Sequence, residues 1–213
     1  MENIYKLDQF LTFDYMKKLV ESNGMSIVKE LPADLEKTFT YYKQLLKQSL
    51  QAPYFLTEDR HFQQKIPVGS DEYYTIRWNI PKLRYIVKQS NIPLTSLPME
   101  HIKTSIQQHK HSSLNTSEST NRKTKQSIIA VFYPPILSKY IIIDGIEKAI
   151  CQYENGDTAV KAYVLEPSVH LQGMTRDVYR NLFAIHFNYS LICSYITDNL
   201  TFKELEEHLF PVY

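Results

Sequence analysis

The stretch of this sequence whose residue types best suit chemistry is YIIIDGIEKAICQYENGD, residues 140–157. It predicts a buried strand, a tight turn at Asp144 and Gly145, and the start of a helix. The first turn of a helix carries unpaired N–H groups and the positive end of the helix dipole, which together favour a bound phosphate. Gly145 lets a ligand approach the backbone closely. Lys148, on the first helical turn, can neutralise a phosphate.

Three interpretations of this turn are open. It can be purely structural, it can bind a nucleotide or phosphate through Gly145, Ile146 and Lys148, or it can be catalytic. In the catalytic case, Asp144 or Glu147 would serve as a metal ligand or a general base. Glu147 places a carboxylate beside the phosphate, which is unfavourable unless a metal ion bridges the two groups. For an active site the expected cofactor is a nucleoside triphosphate with Mg²⁺, and otherwise no cofactor is expected.

The segments around the turn follow one another in an order typical of a known domain. They are Ile92-Pro93-Leu94 with Leu97, the strand 127–131, the strand and turn 142–145, and Gly156 with the alternating Val160, Ala162 and Val164. In this order they resemble the ParB/sulfiredoxin-like domain, over roughly residues 91–167, about a third of the chain. The resemblance implies a small mixed-sheet domain with a nucleotide-binding ancestry.

This chain departs from the family at the residues that carry the family's chemistry. Glu147 and Lys148 stand where the family usually has His-Arg or paired arginines, and Lys148 keeps the charge but loses the planar fork of arginine. Ile146 stands where sulfiredoxins have their reactive cysteine, so their reductase activity is not expected. The use of cytidine triphosphate by ParB proteins, and the free-serine kinase activity of another branch, both depend on the replaced residues.

A second class of function is a non-enzymatic interaction module whose scaffold has lost its chemistry. The stretch 107–126 is rich in Ser, Thr and Asn and predicts a loop that holds Lys110, Arg122, Lys123 and Lys125. These cations can contact the phosphates of a nucleic acid, or they can belong to a solvated, flexible loop. The partner would be DNA or another protein. A third possibility is a nucleotide-dependent kinase for a small substrate.

Elsewhere the sequence offers weaker candidates. His109 and His111 have metal-ligand spacing, but no Cys or carboxylate accompanies them at a matching spacing, so no metal site is predicted. Tyr pairs at 41–42 and 73–74, together with Trp78, can form a partner surface or fill the core.

The elements that must position these residues predict an α+β protein. Helices are expected at 8–22, 33–50, from Pro81 onward and at 174–196, and a strand at 72–78. Thr201 and Glu204 form a predicted capping box at the start of a last helix. We therefore expect a mostly helical N-terminal region, residues 1–90, followed by a small mixed-sheet ParB/sulfiredoxin-like domain with C-terminal helices, residues 91–213.

The composition excludes some classes of protein. The net charge of +1 gives no overall field that would attract nucleic acid or a membrane surface. The sequence has no signal-peptide pattern at its start and no apolar run long enough to span a bilayer. Cys151 and Cys193 form no paired motif, so two buried thiols in a reducing compartment are expected. A cytoplasmic protein without a membrane partner follows as the prediction.

Overall fold

The computed structural model describes residues 4–5, 10–31, 33–51, 59–68, 73–113, 127–136 and 139–212. The fold is α+β with a helical N-terminal region, and the described residues form eight α-helices, one 3-10 helix and seven strands. In chain order they are β1 (Ile4–Tyr5), α1 (Phe13–Ser22), α2 (Ala33–Gln51), β2 (His61–Pro67), β3 (Tyr73–Asn79), α3 (Ile80–Gln89), β4 (Leu94–Pro98), α4 (Met99–Ser113), β5 (Ile128–Phe132), β6 (Tyr140–Asp144), α5 (Ile146–Glu154), β7 (Ala159–Leu165), α6 (Pro167–His170), the 3-10 helix (Leu171–Gly173), α7 (Asp177–Ile196) and α8 (Phe202–His208).

The chain divides into two compact units that are not continuous in sequence. The helical unit comprises Met1–Thr57, Gln63–Arg77 and Thr175–Tyr213, and the sheet unit comprises Glu58–Phe62 and Trp78–Met174. This division differs from the predicted boundary at residue 90. The helix α3 belongs with the four-stranded sheet, whereas the C-terminal helices belong with the N-terminal ones.

The helical unit is organised around α7, which is apolar on most of its surface. Twelve of its residues are buried, among them Leu182, Phe183 and Tyr189, because a helix that is hydrophobic all round is stable only inside a core. The helix α2 packs against it with a stripe that includes Phe39 and Leu46. A three-stranded sheet in the order β1-β3-β2 accompanies these helices.

Two polar side chains buried in the helical unit, Asn188 and His186, have hydrogen-bond partners within it. The side chain of Asn188 donates to the hydroxyl of Tyr42 at 2.9 Å and to the backbone O of Phe210 at 2.8 Å, and its Oδ1 accepts from the backbone N of Phe210. His186 Nδ1 and the hydroxyl of Tyr74 share a hydrogen bond of 2.9 Å. Burial lowers the pKa of His186 to about 4, so this imidazole is neutral at pH 7.

The sheet unit holds a mixed sheet of four strands in the order β4-β7-β5-β6. The strands β5 and β7 are parallel, whereas the β4–β7 and β5–β6 pairs are antiparallel. One face of the sheet packs against α4 and α5, with Ile102 and Ile106 from α4 and Ala149 from α5. The strand residues on this face include Ile128 and Ala162. The opposite face, which carries Ile129 and Tyr163, adjoins α3.

Most of the predicted elements are confirmed, and the capping box of Thr201 and Glu204 is present with both of its hydrogen bonds. The elements that were not predicted from the sequence include β1, β2 and most of α4. Residues 107–113, which were expected to begin a loop, form the last two turns of α4. These residues are polar, so no apolar spacing marks them as helical. The apolar contacts of α4 come from Ile102 and Ile106, which precede the expected loop.

The structure decides one open alternative and corrects one expectation. Trp78, Tyr74 and Tyr42 fill the core, whereas Tyr41 is 49% exposed. Cys151 is exposed rather than buried, and Cys193 is partly buried. Burial raises the pKa of the Cys193 thiol to about 12.

No helix within the described ranges is both long and apolar enough to cross a membrane.

Candidate functional site

The predicted strand, turn and helix are present, and Gly145 is the residue between β6 and α5. Its φ of +77° lies in the left-handed region that favours glycine. A Cβ at this position would lie 3.0 Å from the Cα of Ile128 and 3.1 Å from the backbone O of Ser127. The glycine therefore lets the turn pack closely against the start of β5, which is a structural reason for its presence.

A β-bulge sets the direction of the Asp144 side chain. Between β5 and β6, Ala130 pairs with Ile142 but Ile129 pairs with Asp144, so β6 has one extra residue at this point. A regular ladder would place Asp144 opposite Ile128, on the face that packs against α4 and α5. The extra residue places Asp144 opposite Ile129 instead, on the face next to α3.

Asp144 is a buried carboxylate that is shared by two arginines. Its side chain is 0% exposed, and it pairs with Arg84 of α3 and with Arg60, whose side chains are 39% and 62% exposed. Arg84 Nε donates to Oδ2 at 2.7 Å, and an Arg60 nitrogen lies 3.5 Å from Oδ1. Oδ1 also accepts from the backbone N of Gly145 at 3.0 Å. These contacts compensate a charge that would be costly to bury alone.

A cleft of about 480 Å³ lies beside this ion pair. Two cationic side chains, three uncharged polar residues and three aliphatic residues line it. They are Arg84 and Lys88, then Asn91, Ser127 and Tyr163, then Val87, Ile92 and Ile129. Among the described residues, no acidic side chain lines the cleft. Such a surface suits an anionic ligand with an apolar portion, because clefts of this kind combine an apolar lining with a few polar groups.

The helix α3 supplies the cations because of its local sequence. Asn79 caps its N-terminus by accepting from the backbone N of Lys82 at 2.8 Å, and Pro81 occupies its first turn. The buried stripe of Ile80, Leu83 and Val87 fixes the rotation of the helix. Positions 84, 87 and 88 then lie on one side of the helix, three and four residues apart, where they line the cleft.

The predicted ligand residues of the turn do not line this cleft. Ile146 packs against the core beneath α4 and α5. Glu147 is 66% exposed and lies 3.1 Å from Nε2 of His109 on α4. Lys148 is half-buried on the first turn of α5. Of the residues predicted for the turn, Asp144 pairs with the cleft residue Arg84, and the backbone of Gly145 packs against Ser127, which also lines the cleft.

The predicted nucleic-acid residues fall mostly outside the described part of the chain. Lys110 lies on α4, in the stretch expected to be a loop. The remaining candidates, Arg122, Lys123 and Lys125, lie outside the described residues. In the ranges that the structure describes, no three His, Cys, Asp or Glu side chains form a group that could hold a metal ion.

The residues that line the cleft were not predicted from the sequence. One signal was available, because Arg84 and Lys88 are four residues apart and flank Val87 in a short helix that was correctly predicted. The contributions of Ser127 and Tyr163 depend on which strands are neighbours, and this information does not exist in any single segment.

Comparison with models of protein families, with curated proteins and with solved structures finds no match to this chain.

Proposed function

We propose that this protein binds a nucleotide or another phosphate-bearing ligand in the cleft beside Asp144 and α3. The observation that carries the proposal is the position of Arg84, which a buried carboxylate holds at the wall of a cleft that also contains Lys88. A guanidinium that is already oriented loses little freedom when it binds phosphate. Arginine and lysine are the side chains that proteins use most for this purpose.

The proposed phosphate site is the cleft, whereas the site predicted from the sequence is the N-terminus of α5. Gly145 connects the two places, because its close packing against Ser127 places the turn next to a residue of the cleft wall. The ParB/sulfiredoxin-like assignment is part of the same proposal. Its support is that each of the four motif segments coincides with a strand of one sheet, namely β4, β5, β6 and β7. The interaction module and the small-substrate kinase remain predictions.

The first experiment is thermal unfolding with and without CTP, ATP, GTP and ADP, each in the presence of Mg²⁺. A ligand at about 100 times its Kd should add about 2.7 kcal/mol to the free energy of unfolding. In a chain of this size, such a gain raises Tm by roughly 5–10 °C. The proposal is contradicted if none of these four nucleotides, no nucleoside monophosphate and no inorganic phosphate shifts Tm.

Three lysine variants then locate the ligand. Lys88→Ala removes a cation of the cleft, so we expect the Tm shift to be lost or to fall by at least half. Lys82→Ala is the matched control, because Lys82 lies on the same helix but does not line the cleft. Lys148→Ala tests the site predicted from the sequence. If this variant loses the shift while Lys88→Ala keeps it, the ligand binds at the first turn of α5 instead.

A further inference from the structure

We infer that the ligand of the cleft is a monophosphate ester with a planar aromatic ring, of the nucleoside monophosphate class, rather than a triphosphate bound with Mg²⁺. The inference rests on the proposed function, and it specifies the ligand more closely. It follows from the charge of the residues around the cleft and from the side chains that line its uncharged part.

The charge balance matches one phosphate group. Arg84 and Lys88 line the cleft with two positive charges, and Arg60 adds a third as the second partner of Asp144, whose single negative charge leaves a net charge of two positive. A phosphate monoester carries a charge of about −1.5 to −2 at neutral pH. A triphosphate carries roughly twice as much and is usually bound with Mg²⁺, which proteins hold through one or two carboxylates together with the phosphates. Among the described residues, the carboxylate beside this cleft is Asp144, which is already shared by Arg60 and Arg84.

The uncharged side of the cleft suits a ring. Tyr163, on the central strand β7, is the aromatic residue of the lining, and Ile92 and Ile129 are among its apolar neighbours there. A tyrosine beside aliphatic groups gives a base a surface for stacking without selecting a particular base. Val87 lies between Arg84 and Lys88 in the sequence of α3, and all three line the cleft. The cleft therefore presents cations and apolar groups to the same ligand.

The test is isothermal titration with four nucleoside monophosphates, each compared with its nucleoside and its triphosphate with Mg²⁺. Ribose 5-phosphate and inorganic phosphate complete the panel. We expect at least one monophosphate to bind as tightly as its triphosphate or more tightly. The matching nucleoside should bind at least tenfold more weakly, because it lacks the charge-assisted hydrogen bonds. Ribose 5-phosphate and inorganic phosphate should also bind more weakly than the monophosphate.

Two variants separate the ring from the phosphate. Tyr163→Val keeps a strand-forming residue and should weaken the monophosphate by about fivefold or more, with the binding of inorganic phosphate unchanged. The control is Tyr85→Ala, since Tyr85 is exposed on the same helix as Arg84 but does not line the cleft. This control should leave the affinity for the monophosphate unaltered.

The possible failures are distinguishable. Triphosphate binding that is tenfold tighter and requires Mg²⁺ would overturn the monophosphate inference but support the proposed function. Equal binding of ribose 5-phosphate and the monophosphates, or no effect of Tyr163→Val, would overturn the aromatic part and point to a sugar phosphate. No binding of any phosphorylated compound would overturn both the inference and the proposed function.

Discussion

The two units treat their buried polar groups differently. In the helical unit, Asn188 and His186 are neutral and bond to groups of the same unit, so their effect is to hold the helix α7 and the C-terminal segment in place. The sheet unit also buries a neutral group, His170, which bonds to the backbone O of Phe132, but in addition it buries a carboxylate, Asp144, whose partners Arg60 and Arg84 are partly exposed. The carboxylate holds a cation, Arg84, at the wall of a cleft, and the neutral groups do not.

The clefts of the two units show the same difference. The helical unit has a cleft of about 310 Å³ whose lining includes Lys17, Lys29, Glu30 and Glu36. Its cations are balanced by carboxylates, and Lys29 also pairs with Asp198 at 2.5 Å. The sheet-unit cleft has cations without carboxylates among its described lining. An excess of one sign of charge, rather than the size of a cleft, therefore distinguishes the candidate ligand site.

Acid pH should cause the largest effect on stability, and it tests both units. Burial lowers the pKa of His186 in the helical unit to about 4 and that of His170 in the sheet unit to about 3. Because an unfolded histidine titrates near pH 6.5, the unfolded chain takes up more protons below that pH, and stability falls. For His186 the loss between pH 6.5 and pH 4 is on the order of 3 kcal/mol.

Denaturant unfolding at several pH values between 7 and 3 measures this loss. His186→Gln should reduce the slope of stability against pH down to about pH 4. His170→Gln should reduce the slope further, down to about pH 3, because the pKa of His170 is lower. A slope that is the same in wild type and both variants would show that the histidines are not the titrating groups.

Substitution of two glycines should give the next largest effect. Gly145 and Gly156 both have a positive φ, of 77° and 81°, but a Cβ would meet the backbone of β5 only at Gly145. Gly145→Ala should cost about 3 kcal/mol, from backbone strain together with overpacking. Gly156→Ala should cost about 1 kcal/mol, from strain alone. Equal losses in denaturant unfolding would mean that the contact with Ser127 and Ile128 relaxes easily.

An effect smaller than that of Gly145→Ala is expected in the helical unit. Asn188→Ala removes hydrogen bonds to Tyr42 and Phe210, so the free energy of unfolding should fall by about 2 kcal/mol. Nucleotide-induced Tm shifts should keep their size in this variant, since the residue lies in the unit that lacks the candidate site. A loss of the shift without a loss of stability would contradict the distinction between the units.

Local sequence patterns predicted the elements but not their grouping. The apolar spacing in α2, α3 and α7, the Asp144-Gly145 turn and the Thr201 capping box could all be found, because each depends on residues near one another in the chain. The two discontinuous units could not be found, since they depend on contacts between distant segments. The pairing of Arg84 with Asp144 joins residues 60 positions apart. This pairing also requires the β-bulge, which no local sequence pattern predicts.

Because of that β-bulge, the face on which the charge of Asp144 lies depends on strand register rather than on residue type. If the unchanged sequence paired regularly, Ile143 would lie opposite Ile129 and Asp144 opposite Ile128. The carboxylate would then turn into the apolar layer beneath α4 and α5, and its two arginines would lose their anion. Deletion of one isoleucine from the run at 141–143 would have the opposite outcome, because it removes the extra residue and leaves Asp144 opposite Ile129 in a regular ladder. A gap in an alignment at this run therefore preserves the site, whereas a change of register without a gap removes it.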